Sequence, residues 1–344
     1  MDRTLDHPLI TSPRQTLFWL GSAFYCFFYP SLIGFFSHAL PRAFSEPTLA
    51  SISLCALTSL AVFACFPVGA FLLANRRLDH AASAKMRAMA HLLMVLPALN
   101  TLVFVVSYMT ASLNAAPYVW ITVTAALLGL ITQLSASPAA AAVSPAMRVF
   151  HGVLATVFIG GFFLLHWANH LTALWSSNTH GIAQDFFRRW YQSPWVEPVL
   201  LIVCALLLLT GVYLSGRYLR RDTDKYKRWQ SASGCYLGVF FCAHLIAVLM
   251  TRARGGETDW AFATGEQGLI HGFQFLIPYY AFALLAFSLH ASLGLRQVLL
   301  NHTNTHSHAT LAGRIAATSG YVLTALVMLA ALGFSFQPLE GSSL

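Results

Sequence analysis

Charge is what this chain is short of. Only 9% of its 344 residues are Asp, Glu, Lys or Arg, while 57% are hydrophobic, too few polar groups to cover a water-soluble protein of this size. Cysteine is equally uninformative for chemistry. All six (Cys26, Cys55, Cys65, Cys204, Cys235 and Cys242) fall inside apolar runs rather than in loops, which argues against disulfides and Cys-metal sites and makes them small core residues. There is no nucleotide-binding glycine fingerprint and no cysteine set for an iron–sulfur cluster, so the chain has no means of oxidising a polar substrate by itself. The net charge of +8 does not point to nucleic acid, because the basic residues fall on alternate loops, as membrane topology requires.

Long uncharged runs are what the sequence has in quantity. About 30 Å of hydrocarbon takes roughly 20 helical residues to cross, and the intervals between charges accommodate nine such helices. They are predicted over Thr16–Leu40, Thr48–Ala74, Met89–Met109, Ala116–Leu134, Val149–Leu174, Val199–Tyr218, Ser231–Met250, Phe275–Leu295 and Ala316–Phe336. The expected fold is an all-α polytopic membrane protein. It is read as a four-helix region over 1–134, a small-residue linker over 135–146 and a five-helix bundle over 147–344. With the N-terminus inside and the C-terminus outside, 15 of the 20 Lys and Arg lie on the inner side, as the positive-inside rule expects. The first apolar run is long and aromatic and lacks a small-residue cleavage site, so no cleavable signal peptide is expected.

Chemistry concentrates in the last five spans. An ionisable side chain at membrane depth is costly unless partnered, which makes intramembrane histidines functional candidates. His166 lies 17 residues into the fifth span and His244 lies 13 residues into the seventh. Both helices run outward, so at about 1.5 Å per residue the two reach similar heights and can face each other. Two imidazoles from facing helices make a six-coordinate haem suited to electron transfer. Gly160, Gly161, Gly234 and Gly238 would leave room for a flat macrocycle. His290, on the eighth span, lies toward the inner side opposite Thr210, where the sixth span has no histidine; the inner level therefore has one histidine. Arg148 and His151 sit at the inner interface, where Arg217 and Arg296 also lie. They are read either as quinone or propionate contacts or as snorkelling topology determinants. Glu197 is a relay carboxylate or an interfacial residue. Trp190, Tyr191, Trp195 and His180 read as an interface belt, and His302, His306 and His308 as an inner solvated tract.

Arranged together, these residues resemble the five-helix cytochrome b membrane anchor of succinate:quinone oxidoreductases, the succinate dehydrogenases and fumarate reductases. The resemblance covers roughly residues 147–336. Arg148-Val-Phe-His151, His166 and Asn169-His170 follow the family's first helix with one residue inserted and one lost. Thr210-Gly211-Val212-Tyr213 stands where the second helix has a His-Gly-Ile-Tyr-type ligand context. Gln230, Ser233, Gly234 and His244 keep the register of the third helix, and His290 with Gly294 that of the fourth.

The resemblance implies one haem b between His166 and His244, with His170 as the alternative to His166. His290 is left to a five-coordinate second haem, a quinone contact or a structural role. It also implies quinone as substrate, membrane lipid as surroundings, and flavoprotein and iron–sulfur subunits docked on the inner side of a bacterial inner membrane. The chain would then be a non-catalytic electron-transfer subunit. The competing expectation is a haem-free scaffold or transporter that uses the same histidines for proton relay or packing, since the four N-terminal helices have no counterpart in that family.

Overall fold

The computed structural model describes residues 13–74, 80–134, 143–219, 224–302 and 305–336, and among these there are helices and no strand. Residues 135–142 of the expected linker, and Arg3, Arg76, Arg77, Arg220 and Arg221 of the expected inner segments, lie outside the described residues. Among the described residues nine helical segments are long and apolar enough to cross a membrane. The chain is thus an all-α, polytopic membrane protein.

The first four spans are α1 (Pro13–Ser45), α2 (Leu49–Phe63) running on after Ala64 into α3 (Cys65–Ala74), α4 (His80–Met109) and α5 (Ala116–Gln133). The fifth is built from α6 (Pro145–Phe158), a five-residue π turn (Ile159–Phe163) and α7 (Leu164–Thr172). After the non-spanning helix α8 (Ser177–Tyr191) come α9 (Val196–Leu219), α10 (Lys225–Ala253), the short α11 (Trp260–Thr264), α12 (Leu276–His302) and α13 (His306–Leu332). Several helices outrun the apolar windows that predict them, because their ends are capped or carry basic residues at solvated depth. Asp224 starts α10 by accepting from the Tyr226 and Lys227 amides at 2.8 and 3.0 Å, a standard N-cap. α13 begins ten residues before its predicted start, and His302, His306 and His308 are therefore exposed positions at two helix ends.

The last five spans close into a bundle in which α6–α7 packs on α9 and α13, α9 on α10, α10 on α12 and α12 on α13. The fifth span's backbone packs on its flanking neighbours α9 and α13, and reaches α10 and α12 mainly through side chains. Helix α4 lies along the other side of α10 and is the most buried span, with 72% of its most apolar window enclosed against 11% for α9. Its Arg87 guanidinium donates to the Leu219 carbonyl at the end of α9, at 3.1 and 3.2 Å. One hydrophobic core runs from Cys26 and Tyr29 through Met89 and Leu93 to Tyr236 and Phe282, so the N-terminal spans and the five-helix bundle share it. Large apolar side chains such as Leu57, Val153, Leu209 and Val322 stand exposed on the outer faces, where hydrocarbon would meet them.

One close approach fixes the α8 end of the bundle. Leu269 donates to the Ala331 carbonyl at 2.8 Å, and Gly268 (φ +80°) lies against Gly333 (φ +107°), where a Cβ would come within 2.5 Å of backbone. Both backbone angles are ones that glycine adopts without strain.

Candidate functional site

The bundle interior holds histidines at two levels separated by a layer of aromatics. His166 and His170 come from α7, His180 from α8 and His244 from α10; these make the upper level. His151 from α6 and His290 from α12 make the lower level, at the end where Arg148, Arg217, Lys227, Arg228 and Arg296 lie. Between them, Phe158 packs on Phe241 with ring centres 5.5 Å apart and Phe163 on Phe287 at 3.7 Å.

The π turn explains how one span serves both levels. His166 and His170 follow His151 by 15 and 19 residues, so in a continuous α-helix, at about 100° per residue, they would sit roughly 60° and 100° around from it. A π turn accommodates one extra residue, takes back about 100° and gathers all three within an arc of roughly 40°. Gly160 and Gly161, which the sequence suggests as room for a macrocycle, are exposed positions within this turn, and a Cβ on either would meet nothing. They bear on the shape of the helix rather than on space inside the bundle.

At the upper level His166 and His244 face each other with ring centres 6.2 Å apart and planes at 67°. Phe162 stacks on His166 at 5.1 Å and Phe240 on His244 at 5.6 Å. The His170 Nε2 lies 3.1 Å from the His166 Nε2, and the His170 ring stacks on that of His180 at 5.6 Å. The Asn169 side-chain amide donates to the His180 Nε2 at 3.1 Å. His180, which the sequence suggests only as a belt residue, is thus part of the cluster, placed there by α8 and its Ser176 cap. Burial pushes its imidazole down to about 4, with Arg188 acting in the same direction and Asp259 against it. His180 is therefore neutral at neutral pH.

At the lower level the sequence reading needs correcting. The inner level holds two histidines, because His151 lies opposite His290 with ring centres 6.4 Å apart and planes at 81°. Helix α6 starts at Pro145, which puts His151 about 9 Å along it rather than at its mouth. Thr210 is the neighbour of His151: its hydroxyl donates to the Leu206 carbonyl at 2.7 Å and lies 2.7 Å from the His151 Nδ1. With the hydroxyl proton assigned to the Leu206 carbonyl, the Thr210 oxygen accepts from His151 Nδ1–H. The His290 Nδ1 lies 2.9 Å from the Gln230 carbonyl, which can only accept. Both rings therefore carry their proton on Nδ1 and a lone pair on Nε2.

Gln230, Ser233 and Gly234, which the resemblance aligns with the approach to His244, lie against His290. A Cβ on Gly234 would sit 2.9 Å from His290 Cε1, and the Ser233 hydroxyl lies 3.4 Å from its Nδ1. Gly238 faces Leu208. Arg148 is exposed and within electrostatic reach of Lys227. Glu197 is ion-paired with Arg252, one of its oxygens 3.2 Å from the second guanidinium nitrogen, which ties α9 to α10 at the upper end.

No family model, curated protein or solved structure matches this chain. Metal–imidazole bonds are about 2 Å long, so two axial ligands, with about 1 Å from each ring centre to its nitrogen, place their ring centres roughly 6 Å apart. Both facing pairs have that spacing. Among the described residues no group of three or more His, Cys, Asp or Glu could hold a metal ion. A metal here would take its remaining ligands from outside the polypeptide. The fit at the upper level has one condition: His166 can offer its Nε2 to a metal only by releasing the Nε2 of His170.

Proposed function

We propose that this chain is a haem b-containing membrane subunit that moves electrons between membrane quinone and partner redox subunits, in a complex like the succinate dehydrogenases. The observation that carries this reading is the apposition of His166 and His244 at 6.2 Å inside a membrane-spanning bundle. Held between two imidazoles, a haem supplies one-electron chemistry at a low-spin iron. His166 and His244 would be its axial ligands, with His170 as the alternative to His166. Phe162 and Phe240, stacked on the two rings, keep their orientation and exclude water.

An apolar cleft of about 300 Å³ opens between the fifth span, α12 and α13, lined by Trp167, Phe287, Ser288, Ser292 and Leu323 among others. The Ser288 and Ser292 hydroxyls there donate to the Leu284 and Leu289 carbonyls, so the cleft would offer a quinone mainly apolar contact. Flavoprotein and iron–sulfur partners would dock at the basic end, which we take as the inner side of a bacterial inner membrane on the positive-inside rule.

A second reading, a haem-free transporter or scaffold, is favoured by the contact between His166 and His170 and the stack of His170 on His180. A run of imidazoles of this kind can relay protons. The visible spectrum of the purified chain separates the two. The haem reading predicts a low-spin Soret band whose contribution from this pair is lost or converted to high spin in His166→Ala and His244→Ala. Absence of a Soret band would overturn the haem reading and leave the second, and a high-spin spectrum that both substitutions leave unchanged would overturn His166 and His244 as its ligands.

A further inference from the structure

We infer that His151 and His290 are the axial ligands of a second haem b, at the basic end of the bundle. This rests on the reading of the chain as a haem protein but uses none of the residues that carry it. The first ground is geometric: the 6.4 Å between ring centres is the spacing of two imidazoles on one metal. The second is the state of the nitrogens. Thr210 and the Gln230 carbonyl bind the two Nδ1–H groups, which fixes both tautomers with the lone pair on Nε2. Metal-bound histidines are regularly held in this way, the second nitrogen donating to a carbonyl or other acceptor. Neither Nε2 has a hydrogen-bond partner among the described residues.

The third ground is ligand count. Protein-only metal sites take four or more side-chain or water ligands, and here the described residues supply two. Two imidazoles on opposite walls suit a metal whose other four positions are filled by a macrocycle. Room for such a group is consistent with both rings being only half-buried although they face the bundle interior. It is also consistent with the fifth span reaching α10 and α12 mainly through side chains. Gly234 lets the His290 ring lie directly against α10.

The fourth ground is charge. Arg148, Arg217, Lys227, Arg228 and Arg296 gather at this end, and among the described residues none of them is ion-paired; the ion pairs lie at the opposite end of the bundle. Haem b carries two propionates, and cations without ion pairs beside an imidazole pair are what such anions require. Thr210, which occupies a ligand position of the resembling family, becomes the residue that orients a ligand from another helix. The pairing thus joins the first and fourth helices of the bundle.

The test is haem stoichiometry by pyridine haemochrome on the purified full-length chain, with low-temperature EPR. Two low-spin haems per chain are expected, falling to one in His151→Ala and in His290→Ala while the haem dependent on His166 and His244 persists. One haem that survives both substitutions, or two that do, overturns this inference and leaves the proposed function standing; no haem overturns both. Should the alanine variants not accumulate, Thr210→Val and His290→Met keep the question open to decision. Losing the Nδ1 acceptor makes His151 less basic, and methionine ligation raises haem potential. Each should raise the midpoint potential of one haem alone, and two unchanged potentials overturn the assignment.

Discussion

The two histidine levels of the bundle are equally spaced and oppositely wired. At the lower level each ring is tied through Nδ1 to an acceptor that cannot also bond its Nε2. At the upper level the histidines bond and stack on one another, Nε2 to Nε2 between His166 and His170, with Asn169 and His180 extending the network. The difference shows that readiness for a metal is decided by what the other nitrogen does, and not by how many histidines are near. The Nε2 atoms of the lower pair have no hydrogen-bond partner among the described residues, whereas His166 must give up an imidazole contact before it could ligate.

The largest expected effect is a pH dependence set by His180 at the upper level. His180 titrates near 4 in the folded protein against about 6.5 when unfolded. The unfolded chain therefore takes up the proton first as pH falls. Stability is at full value above about pH 6.5 and declines toward pH 4, by on the order of 3 kcal/mol if the whole shift is expressed. Thermal unfolding in detergent at stepped pH should show this decline, and His180→Gln should flatten it; an unchanged slope in the variant would remove His180 as its source.

A smaller effect, confined to the lower level, is expected of Gly234→Val. The new side chain meets His290 at under 3 Å, so overpacking should cost about 1–3 kcal/mol and remove the signal of the lower site alone. Thr210→Val leaves the His151 Nδ1 buried without its acceptor, worth about 1 kcal/mol, read as a drop in melting temperature alongside the potential shift. The smallest effect is expected of Gly160→Ala. Its Cβ meets nothing, so stability should stay within about 0.5 kcal/mol and both sites should be spectroscopically unchanged. A large loss there would mean that the π turn needs glycine for its own sake.

Much of this architecture was legible in the residues. Nine spans follow from eight uncharged intervals, the longest of which holds two helices, since crossing hydrocarbon imposes a length and a composition that short soluble elements do not share. Equal depth along parallel helices brings His166 to His244, because rise per residue is nearly constant. Rotation is less predictable. One extra residue in the π turn at Ile159–Phe163 decides which face His151 shares, and no apolar periodicity shows where such a turn forms. The pairing of His151 with His290 was hidden for that reason, and so was the service of Gln230, Ser233 and Gly234 to a histidine on another helix. His180 escaped notice because a loop of aromatics between spans reads as an interface belt. Its helix start at Ser176 was the available signal.

The central claim is that facing imidazole pairs in this bundle hold haem for electron transfer. A potentiometric titration of the purified chain, followed by its visible spectrum, tests it most directly. The account predicts two one-electron steps of low-spin haem, one abolished by His166→Ala or His244→Ala and the other by His151→Ala or His290→Ala. A chain that folds, spans the membrane and shows no haem absorbance at any potential would contradict it.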